Sequence, residues 1–420
     1  MFEKSRKLLD DYAGFLYPVL DFCETVTVRG EGCYVWDADG NKILDLNSGQ
    51  FCSVFGHSDP QVAETVYKTA LKIQDTNTAA LSEEVLFAAK RIHDICPEMN
   101  ARSFFLSTGA EANECCLRYA RHLNGGKPGV ISFDNGYHGL THGTKSHSTG
   151  RRHVNPPLNF AYVTRVPRMY NETDLTDRQI DEYIEEFRNI VHANAGNIAI
   201  AIFEPVVSSG GMYIPSRRYF KKIREICTEY NIFLAFDECQ TGFGRTGTWF
   251  YYQQLECTPD FLVCAKGIGL GYPVSVVIFN GNTFSNPTSD LQHFCSHQND
   301  PFAGALVSHG IDTIEKNNLM EHIGKMGVYL LDSLKNISSR HVFVQNPRGV
   351  GLMCAFDIGA DQSDIAAQGI LFCKRALENN IMLQPCNGGK TIRLLPSYCV
   401  TENDIDFLCL RLKQVLKKYY

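Results

Sequence analysis

The hydrophobic and polar positions of the chain change their period along its length. Residues 22–46 alternate apolar and polar side chains around turn signals, a pattern typical of a small antiparallel β meander. Apolar residues then recur at helical spacing over 59–71 and again over 82–95. From residue 103 onward, short apolar strands alternate with helices. This alternation predicts an α/β fold with a mostly parallel central sheet.

The predicted strands of the central sheet are followed by polar or glycine-rich sequence. We expect these strands at 103–106, 130–133, 197–203, 232–236, 261–265 and 274–279. Ligands of open α/β sheets bind outside the carboxyl ends of the strands. The sequence therefore predicts a functional site built from the residues that follow the strands, which are Thr108, Gly109, Tyr137, Glu204, Asp237 and Lys266.

The length of the chain predicts more than one domain. At 420 residues it exceeds the size at which a single core usually stops growing. Beyond residue 310, long amphipathic helices alternate with short strands, and the N-terminal meander is the expected partner of this second α/β layer. We predict a large cofactor-binding domain over 51–310 and a small domain formed by 1–50 together with 311–420.

Composition and charge exclude several classes of partner. The chain is 44% hydrophobic and 20% charged, with a formal net charge of -6, as in ordinary globular proteins. It lacks a basic tract that would bind nucleic acid or an acidic membrane surface. Neither a signal peptide nor a run of transmembrane length is recognisable, so we expect a cytoplasmic protein. The 16 cysteines contain no CxxC pair and are interpreted as reduced, mostly buried side chains.

Lys266 stands between a buried apolar strand, 261–265, and a glycine-rich turn. Taken alone, it is expected to be an exposed lysine, because lysine is rarely buried. A desolvated lysine near other charges would instead have a lowered pKa and could form a Schiff base with an aldehyde. The residues at the other strand ends favour this second interpretation.

Five other residues fit a single cofactor. Thr108 begins a T-x-x-E capping box, and the helix N-terminus that follows Gly109 could also bind a phosphate. Asp237 could cap a turn or hold a proton on a heteroaromatic nitrogen. Tyr137 could pack in a core or stack on a planar ring, and Gln240 could hydrogen-bond a ring hydroxyl. An imine, a phosphate, a pyridinium nitrogen and a stacked ring together describe pyridoxal 5′-phosphate.

Two competing interpretations are not favoured. Residues 242–247 match G-x-G-x-x-G literally, as in a nicotinamide dehydrogenase. However, the aromatic sequence that follows does not open a helix, and the preceding Asp237 and Glu238 would repel a pyrophosphate. A cofactor-binding protein without catalysis is also disfavoured, because every catalytic position is filled.

In this order the motifs resemble the class III, or subgroup II, pyridoxal-phosphate-dependent aminotransferases, over nearly the whole chain. The motifs are FLSTGAEANE (105–114), GYHG (136–139), EPVVSSGG (204–211), DECQTGFGRTG (237–247) and AKGIGLGYP (265–273). The resemblance implies fold type I of these enzymes and a homodimer, or a tetramer, with active sites at the subunit interface. It also implies that Lys266 carries the cofactor as an aldimine.

The same resemblance assigns roles to further residues. Lys266, Asp237 and Tyr137 would be catalytic, with Asp237 on the pyridine nitrogen and Tyr137 over the ring. Ser296 would supply a hydroxyl to the phosphate of the neighbouring subunit. The complete cofactor-binding set is Thr108, Gly109, Ala110, Tyr137, His138, Glu204, Asp237, Gln240, Lys266 and Ser296.

Several residues look like the 2,2-dialkylglycine decarboxylase branch of the family. Gln50 lies in an SGQ motif and 208–211 read Ser-Ser-Gly-Gly, as in that branch. Arg393 stands at the position of the family's carboxylate-binding arginine, where a guanidinium gives a bidentate grip. The resemblance therefore implies substrate contacts from Gln50, Ser209 and Arg393. The branch also binds an alkali cation, which implies oxygen ligands from Thr78, Ser296 and Asp300.

Three departures limit the resemblance. The arginine that ornithine- and acetylornithine-type members carry after YHG is replaced by Leu140 and Thr141, which argues against those substrates. Tyr137 stands where the decarboxylase branch has tryptophan, and Ser296 stands where threonine is usual. We expect an enzyme that moves an amino group between a donor such as an amino acid and a keto acceptor. A decarboxylating transaminase of dialkylglycines with pyruvate as acceptor, and an amino-acid racemase, remain as alternatives.

Overall fold

The computed structural model describes residues 2–19, 23–148, 160–285, 290–359 and 364–420. The α-helices in these residues are α1 Glu3–Tyr12, α2 Ser48–Phe51, α3 Pro60–Lys72, α4 Glu83–Ile95, α5 Gly109–Leu123, α6 Asp177–Asn194, α7 Arg217–Glu229, α8 Tyr252–Leu255, α9 Pro301–Lys316, α10 Leu319–Ser338, α11 Ile365–Leu377 and α12 Glu402–Tyr419. The strands are β1 Thr27–Glu31, β2 Tyr34–Asp37, β3 Lys42–Asp45, β4 Arg102–Leu106, β5 Gly129–Phe133, β6 Ala161–Thr164, β7 Ile198–Phe203, β8 Phe233–Asp237, β9 Phe261–Cys264, β10 Ser275–Phe279, β11 Val344–Val350, β12 Met353–Ile358, β13 Ile381–Met382, β14 Gln384–Cys386 and β15 Thr391–Leu394.

The central sheet has seven strands in the order β4-β10-β9-β8-β7-β5-β6. Strands β6, β5, β7, β8 and β9 pair in parallel, whereas β10 runs antiparallel to both β9 and β4. The prediction of a mostly parallel α/β sheet is therefore confirmed. Because the parallel strands share one direction, the residues that follow them meet at one edge of the sheet.

Both faces of this sheet are covered by helices. Every residue of β7 and β9 is buried, and their sequences are continuous apolar runs, as expected for strands that face a core on both sides. Helix α5 packs on one face through small residues such as Ala112 and Cys116. Helix α7 packs on the other face, where Phe220 lies against Phe236 of β8 with ring centroids 5.1 Å apart. The sheet is thus held rigidly between two apolar layers.

The two ends of the chain share smaller sheets. The predicted meander forms β1, β2 and β3 as antiparallel neighbours, and β13 adds to β3 in parallel. The other C-terminal strands form a four-stranded sheet in the order β11-β12-β15-β14. The expected division into domains at residues 50 and 310 stays a prediction. None of the helices among the described residues is long and apolar enough to cross a membrane.

Lys266 follows the end of β9 in an unusual backbone conformation. A single turn of 3-10 helix spans Lys266–Gly269, and Lys266 has a φ of 54° in the left-handed region. Residues other than glycine adopt this region at a cost that the surrounding structure must offset. The turn directs the chain away from the sheet edge, and the lysine stays half-buried there.

Candidate active site

Several of the residues that follow the strands of the central sheet line one cavity of about 570 Å³. Lys266 and Asp237 belong to its wall, together with the N-terminus of α5. The lining residues that had been predicted as site residues are Thr108, Gly109, Ala110, Tyr137, His138, Asp237 and Lys266. The structure therefore brings together seven positions that are spread over about 160 residues of the chain.

Asp237 is held in a network of buried polar groups. Its Oδ2 atom lies 2.8 Å from His138 Nδ1 and accepts a hydrogen bond of 2.7 Å from Asn113 Nδ2. Its Oδ1 atom accepts a hydrogen bond from the backbone N–H of Cys239 at 3.1 Å. Burial alone raises the pKa of Asp237, but the hydrogen bonds of His138 and Cys239 and the charges of His138 and Lys266 outweigh it. The pKa of Asp237 consequently lies below its ordinary value, and the carboxylate stays charged.

Glu204 lies beneath the same cavity without lining it. Its Oε1 atom accepts a hydrogen bond of 2.7 Å from the backbone N–H of Tyr137. This bond positions the segment that carries Tyr137 and His138. Burial raises the pKa of Glu204 to about 7, and the charge of His138 acts in the opposite direction.

The first turn of α5 forms part of the cavity wall, close to Ala265 at the end of β9. Thr108 is its N-cap, and Thr108 Oγ1 accepts a hydrogen bond from the N–H of Glu111 at 3.3 Å. Glu111 reaches back to the N–H of Ser107 at 3.0 Å instead of to Thr108 itself. A Cβ on Gly109 would lie 2.9 Å from Cys239 Sγ, so the close packing at this point requires glycine. Other N–H groups of the first helical turn have no partner within the helix and face an anion-binding position.

Arg393 is a buried residue of β15 that does not line this cavity, and its side chain is bound by neutral groups. Its Nη1 donates to the hydroxyls of Ser208 and Ser209 at 3.2 and 3.3 Å, and its Nη2 donates to Gln384 Oε1 at 3.0 Å. The guanidinium also lies 4.8 Å from the centroid of the Phe51 ring. Among the described residues, Arg393 forms no ion pair with a carboxylate, and its buried Nε has no hydrogen-bond partner. Its positive charge is therefore available to an anionic ligand.

Gln50 is connected to Arg393 only indirectly, because the next residue, Phe51, carries the ring that the guanidinium contacts. Helix α2 carries both residues, and it is bent, with Gly49 at a φ of 68°. Asp45 holds this segment, because its carboxylate accepts hydrogen bonds from the N–H groups of Asn47 and Gly49. The Gln50 side chain is exposed and does not line the cavity, although the nearby Cys52 does.

The remaining predicted residues do not line the cavity. Gln240 follows Asp237 in the chain, and its buried Oε1 has no hydrogen-bond partner among the described residues. Ser296 and Thr78 are exposed. Asp300 lies near His297 and Asp75, with one ligand atom from each within 4.8 Å of the others. Both oxygens of Asp300 are already engaged, Oδ1 by the N–H of Phe302 and Oδ2 by His297 Nδ1 at 2.8 Å.

Cys239, Cys52 and Asn113 are among the residues of the site that had not been predicted. Cys239 and Cys52 line the cavity, and Asn113 both lines it and donates to Asp237. Burial raises the pKa of Cys239 well above its usual value, so this thiol stays protonated. The position of Cys239, two residues after the aspartate that ends β8, is a signal that could have found it. Asn113 carries no such signal, because only the packing of α5 on β8 brings it to Asp237.

The residues of the cavity fit pyridoxal phosphate. A helix N-terminus, an ionised buried carboxylate and a lysine face one space, and these are the groups that its phosphate, its ring nitrogen and its aldehyde require. The unpartnered Oε1 of Gln240 fits a hydroxyl donor on the ring. The fold and this donor set together define a pyridoxal-phosphate enzyme of fold type I.

Comparison with known proteins narrows the class. A sequence model described as "Aminotransferase class-III" matches residues 20–416. The chain therefore belongs to the class III aminotransferase family, whose members use pyridoxal phosphate, and it is a transaminase.

Curated relatives and solved structures agree with this assignment. The chain is 28% identical to an uncharacterized aminotransferase of Schizosaccharomyces pombe, over 96% of this chain and 91% of that protein. It is 29% identical to an acetylornithine aminotransferase of Methanothermobacter thermautotrophicus, over 91% of each chain. A Bacillus anthracis aminotransferase superposes with a TM-score of 0.91 at 25% identity, over 99% of both chains. An (S)-enantioselective omega-transaminase of Thermomicrobium roseum gives a TM-score of 0.89 at 26% identity, over 99% of this chain and 98% of the other.

Proposed function

We propose that this transaminase takes its amino group from a donor that carries a carboxylate, an amino acid, and passes it to a keto acid. The single observation that carries the proposal is the position of Arg393. Arg393 is a buried guanidinium whose partners among the described residues are all neutral. It contacts the ring of Phe51, and the next residue, Cys52, lines the cavity of Lys266 and Asp237. A charge that is kept buried without a protein counter-ion is costly unless a ligand supplies the counter-ion.

The wall of the cavity supports a proposed position for the cofactor. Pyridoxal phosphate, when bound, supplies an aldehyde that takes up the amino group and a ring that accepts electrons. The backbone N–H groups at Gly109 and Ala110, with the Thr108 hydroxyl, would bind the phosphate at the N-terminus of α5. Asp237 would hold a proton at the ring nitrogen, and His138 and Asn113 would keep that carboxylate oriented and charged.

Lys266 would move the proton that the reaction needs. In the proposed roles, its amine removes a proton from the α carbon of the donor and returns a proton on the cofactor side. Tyr137 and Cys239 both belong to the cavity wall. Tyr137 would cover one face of the ring, and Cys239 would pack against the other. Gln240 would accept a hydrogen bond from the ring hydroxyl.

The substrate would bind between Arg393 and the cavity. Arg393 would grip its carboxylate, and Ser209, which already accepts a hydrogen bond from Arg393, would orient the guanidinium. Gln50 would approach from the bent helix α2 next to Phe51. These are the contacts by which the chain resembles the 2,2-dialkylglycine decarboxylase branch. We propose transamination without loss of CO₂ as the main reaction, since the resemblance to that branch rests on few residues and Tyr137 departs from it.

We further propose that the active unit is a homodimer. Helices α3 and α4 expose large apolar side chains, including Tyr67, Leu71, Leu86 and Phe87, which a second copy would cover. The exposed Ser296 would then reach the phosphate in the partner subunit. Light scattering of the purified protein tests this point, with a monomer as the contradicting result. An alkali cation near Asp300 is tested by comparing activity in potassium and in tetramethylammonium salts.

The decisive experiment is a panel of amino donors. The purified protein is loaded with pyridoxal phosphate, and each donor is scored by the absorbance change of the cofactor, by keto acid formed and by CO₂ released. Amino acids are expected to convert, and matched amines without a carboxylate are expected to convert poorly. Equal rates for both donor types would contradict the role of Arg393. CO₂ from 2-aminoisobutyrate would show a decarboxylating transaminase, and inversion of chirality without keto acid would show a racemase.

A further inference from the structure

Two cysteines from opposite ends of the chain lie in contact at the surface. Cys33 follows β1 and Cys399 precedes α12, and their Sγ atoms are 3.4 Å apart although 366 residues separate them. Cys33 is buried, with 4% of its surface exposed, whereas Cys399 is exposed. One thiol is thus shielded and its neighbour is open to solvent, as in a pair where one sulfur reacts and the other resolves the product.

The surroundings of the pair allow a small reagent to reach it. A cavity of about 350 Å³ is lined by both cysteines, and Lys42 and Asp404 contribute to the same wall. The hydrogen bond with Cys33 lowers the pKa of Cys399, although burial acts against this. The same hydrogen bond and burial raise the pKa of Cys33. Of the two thiols, the exposed Cys399 is therefore the one that ionises more readily to the reactive thiolate.

The backbone beside the pair is fixed by contacts to other segments. The carbonyl of Cys33 accepts a hydrogen bond of 2.8 Å from the N–H of Asp45. The carboxylate of Asp45 in turn accepts a hydrogen bond from the N–H of Gly49 in helix α2. Tyr398, next to Cys399, donates its hydroxyl to the carbonyl of Phe243 at 2.8 Å. Its N–H donates to the carbonyl of Val54 at 2.6 Å. The two sulfurs therefore stay opposite each other. A small movement of the side chains would bring the Sγ atoms from their contact distance of 3.4 Å to the length of a disulfide bond, about 2.05 Å.

We propose that Cys33 and Cys399 form a reversible disulfide when the enzyme meets a hydroperoxide, and that this bond ties the two ends of the chain together. The Cys399 sulfur attacks one peroxide oxygen, the O–O bond breaks, and a sulfenic acid and a water or alcohol result. The Cys33 sulfur then attacks Cys399 Sγ, the S–O bond breaks and water leaves. Two cysteine sulfurs are oxidised by two electrons in total, and one peroxide is reduced. A dithiol reductant restores both thiols.

The link would close a loop of nearly the whole chain. A disulfide removes conformational freedom from the unfolded chain, and more of it for a longer loop. The oxidised enzyme is therefore expected to unfold about 4 °C higher than the reduced enzyme. This proposal does not depend on the substrate or on the roles assigned to the catalytic residues.

The test uses the full chain loaded with pyridoxal phosphate. Stoichiometric hydrogen peroxide is added, free thiols are alkylated under denaturing conditions, and peptides are mapped by mass spectrometry before and after reduction. A peptide pair that joins residues 33 and 399, together with the rise in unfolding temperature, supports the proposal. Cys399→Ser is expected to lose both effects, and Cys399→Ala repeats the test with a second side chain.

Cys23→Ser is the matched control, because Cys23 is another exposed free cysteine and should leave both effects intact. Oxidation of Cys399 to a sulfinic acid without a bond to Cys33 would overturn the proposal. A cross-linked peptide without a rise in unfolding temperature would also overturn it, because the bond would then not stabilise the folded chain. An equal temperature shift in Cys399→Ser would also overturn it.

Discussion

His138 Nδ1 lies 2.8 Å from Asp237 Oδ2, and both side chains are buried beneath the cavity that Lys266 lines. His138 was predicted to bind the cofactor directly. The contact gives it a second role, because it keeps the carboxylate of Asp237 charged against the effect of burial. In the proposed function the two residues would act as one unit, in which Asp237 would face the ring nitrogen and the imidazole would help to keep the pKa of Asp237 low.

The first prediction concerns this unit. In His138→Ala, Asp237 keeps its burial but loses the hydrogen bond and the electrostatic stabilisation that His138 supplies, so its pKa should rise. The acid limb of the pH profile of kcat/KM is expected to move upward by at least about one pH unit. His192→Ala, at an exposed histidine, should leave the profile unchanged. An unshifted limb in His138→Ala would remove the histidine from the unit.

The second prediction concerns Lys266. Lys266→Ala should lower amino transfer by about 10³-fold, because a positioned proton carrier is lost. After borohydride treatment and denaturation, the parent protein should retain the cofactor covalently, and the variant should not. Lys316→Ala serves as the control, since Lys316 is exposed on α9. Full turnover in Lys266→Ala would show that another group moves the proton.

Much of the fold, and part of the site, follows from local sequence pattern. Lys266 and Asp237 could be found because each ends a strand whose apolar run is visible, and topology brings such ends together. The partners of Asp237 could not be found in this way. His138 and Asn113 are 99 and 124 residues from it in the chain, and only the packing of their segments brings the atoms into contact.

The exposed residues show a second limit of sequence reasoning. Ser296 and Thr78 were expected from resemblance, and each lies on the surface of the single chain. Their expected roles involve a neighbouring subunit or an ion, neither of which is encoded in local periodicity. Cys33 and Cys399 show the same limit, because a contact across 366 residues has no local signal.

The third prediction concerns the packing at Gly109. A Cβ there would lie 2.9 Å from Cys239 Sγ and 3.3 Å from the Cβ of Ala265. Gly109→Ala is therefore expected to displace the first turn of α5, at a cost of about 1–3 kcal/mol, and to weaken binding of pyridoxal phosphate at least tenfold. Fluorescence or absorbance titration with the cofactor measures this. Gly196→Ala, where a Cβ would meet no atom within 4 Å, should bind as the parent does.

The fourth prediction concerns Arg393. Arg393→Lys keeps the charge but loses the paired N–H donors, so KM for amino-acid donors should rise about 10- to 100-fold. Amines without a carboxylate should change less than about twofold, because they do not use this contact. Arg348→Lys is the contrasting variant, since Arg348 is buried and bound to Asp357 at 2.7 Å. It should lower stability without separating the two donor types, and a parallel loss in Arg393→Lys would contradict the assignment.

The last prediction concerns the pH dependence of stability through Glu204. Burial raises the pKa of Glu204 from 4.5 to about 7, so between these values the folded protein keeps a proton that the unfolded chain has released. In this window the unfolded state binds fewer protons than the folded state. Raising the pH from 4.5 to 7 therefore favours the unfolded state, and the free energy of unfolding falls. The loss in the free energy of unfolding is about 3 kcal/mol for this group. Below pH 4.5 Glu204 is protonated in both states, and above pH 7 it is ionised in both. The decline of stability with pH is therefore confined to this window, and the stability lost there is not regained above pH 7.

Glu204→Gln tests this assignment, because glutamine keeps an acceptor for the N–H of Tyr137 but does not titrate. Denaturant unfolding of the protein without pyridoxal phosphate, measured from pH 4.5 to 8, should show a shallower decline in the variant. Burial also raises the pKa of Glu238 to about 7, so the variant should keep the part of the decline that Glu238 causes. Glu229→Gln, at an exposed carboxylate, should follow the parent. An unchanged slope in Glu204→Gln would mean that Glu204 is ionised in the folded protein throughout this range.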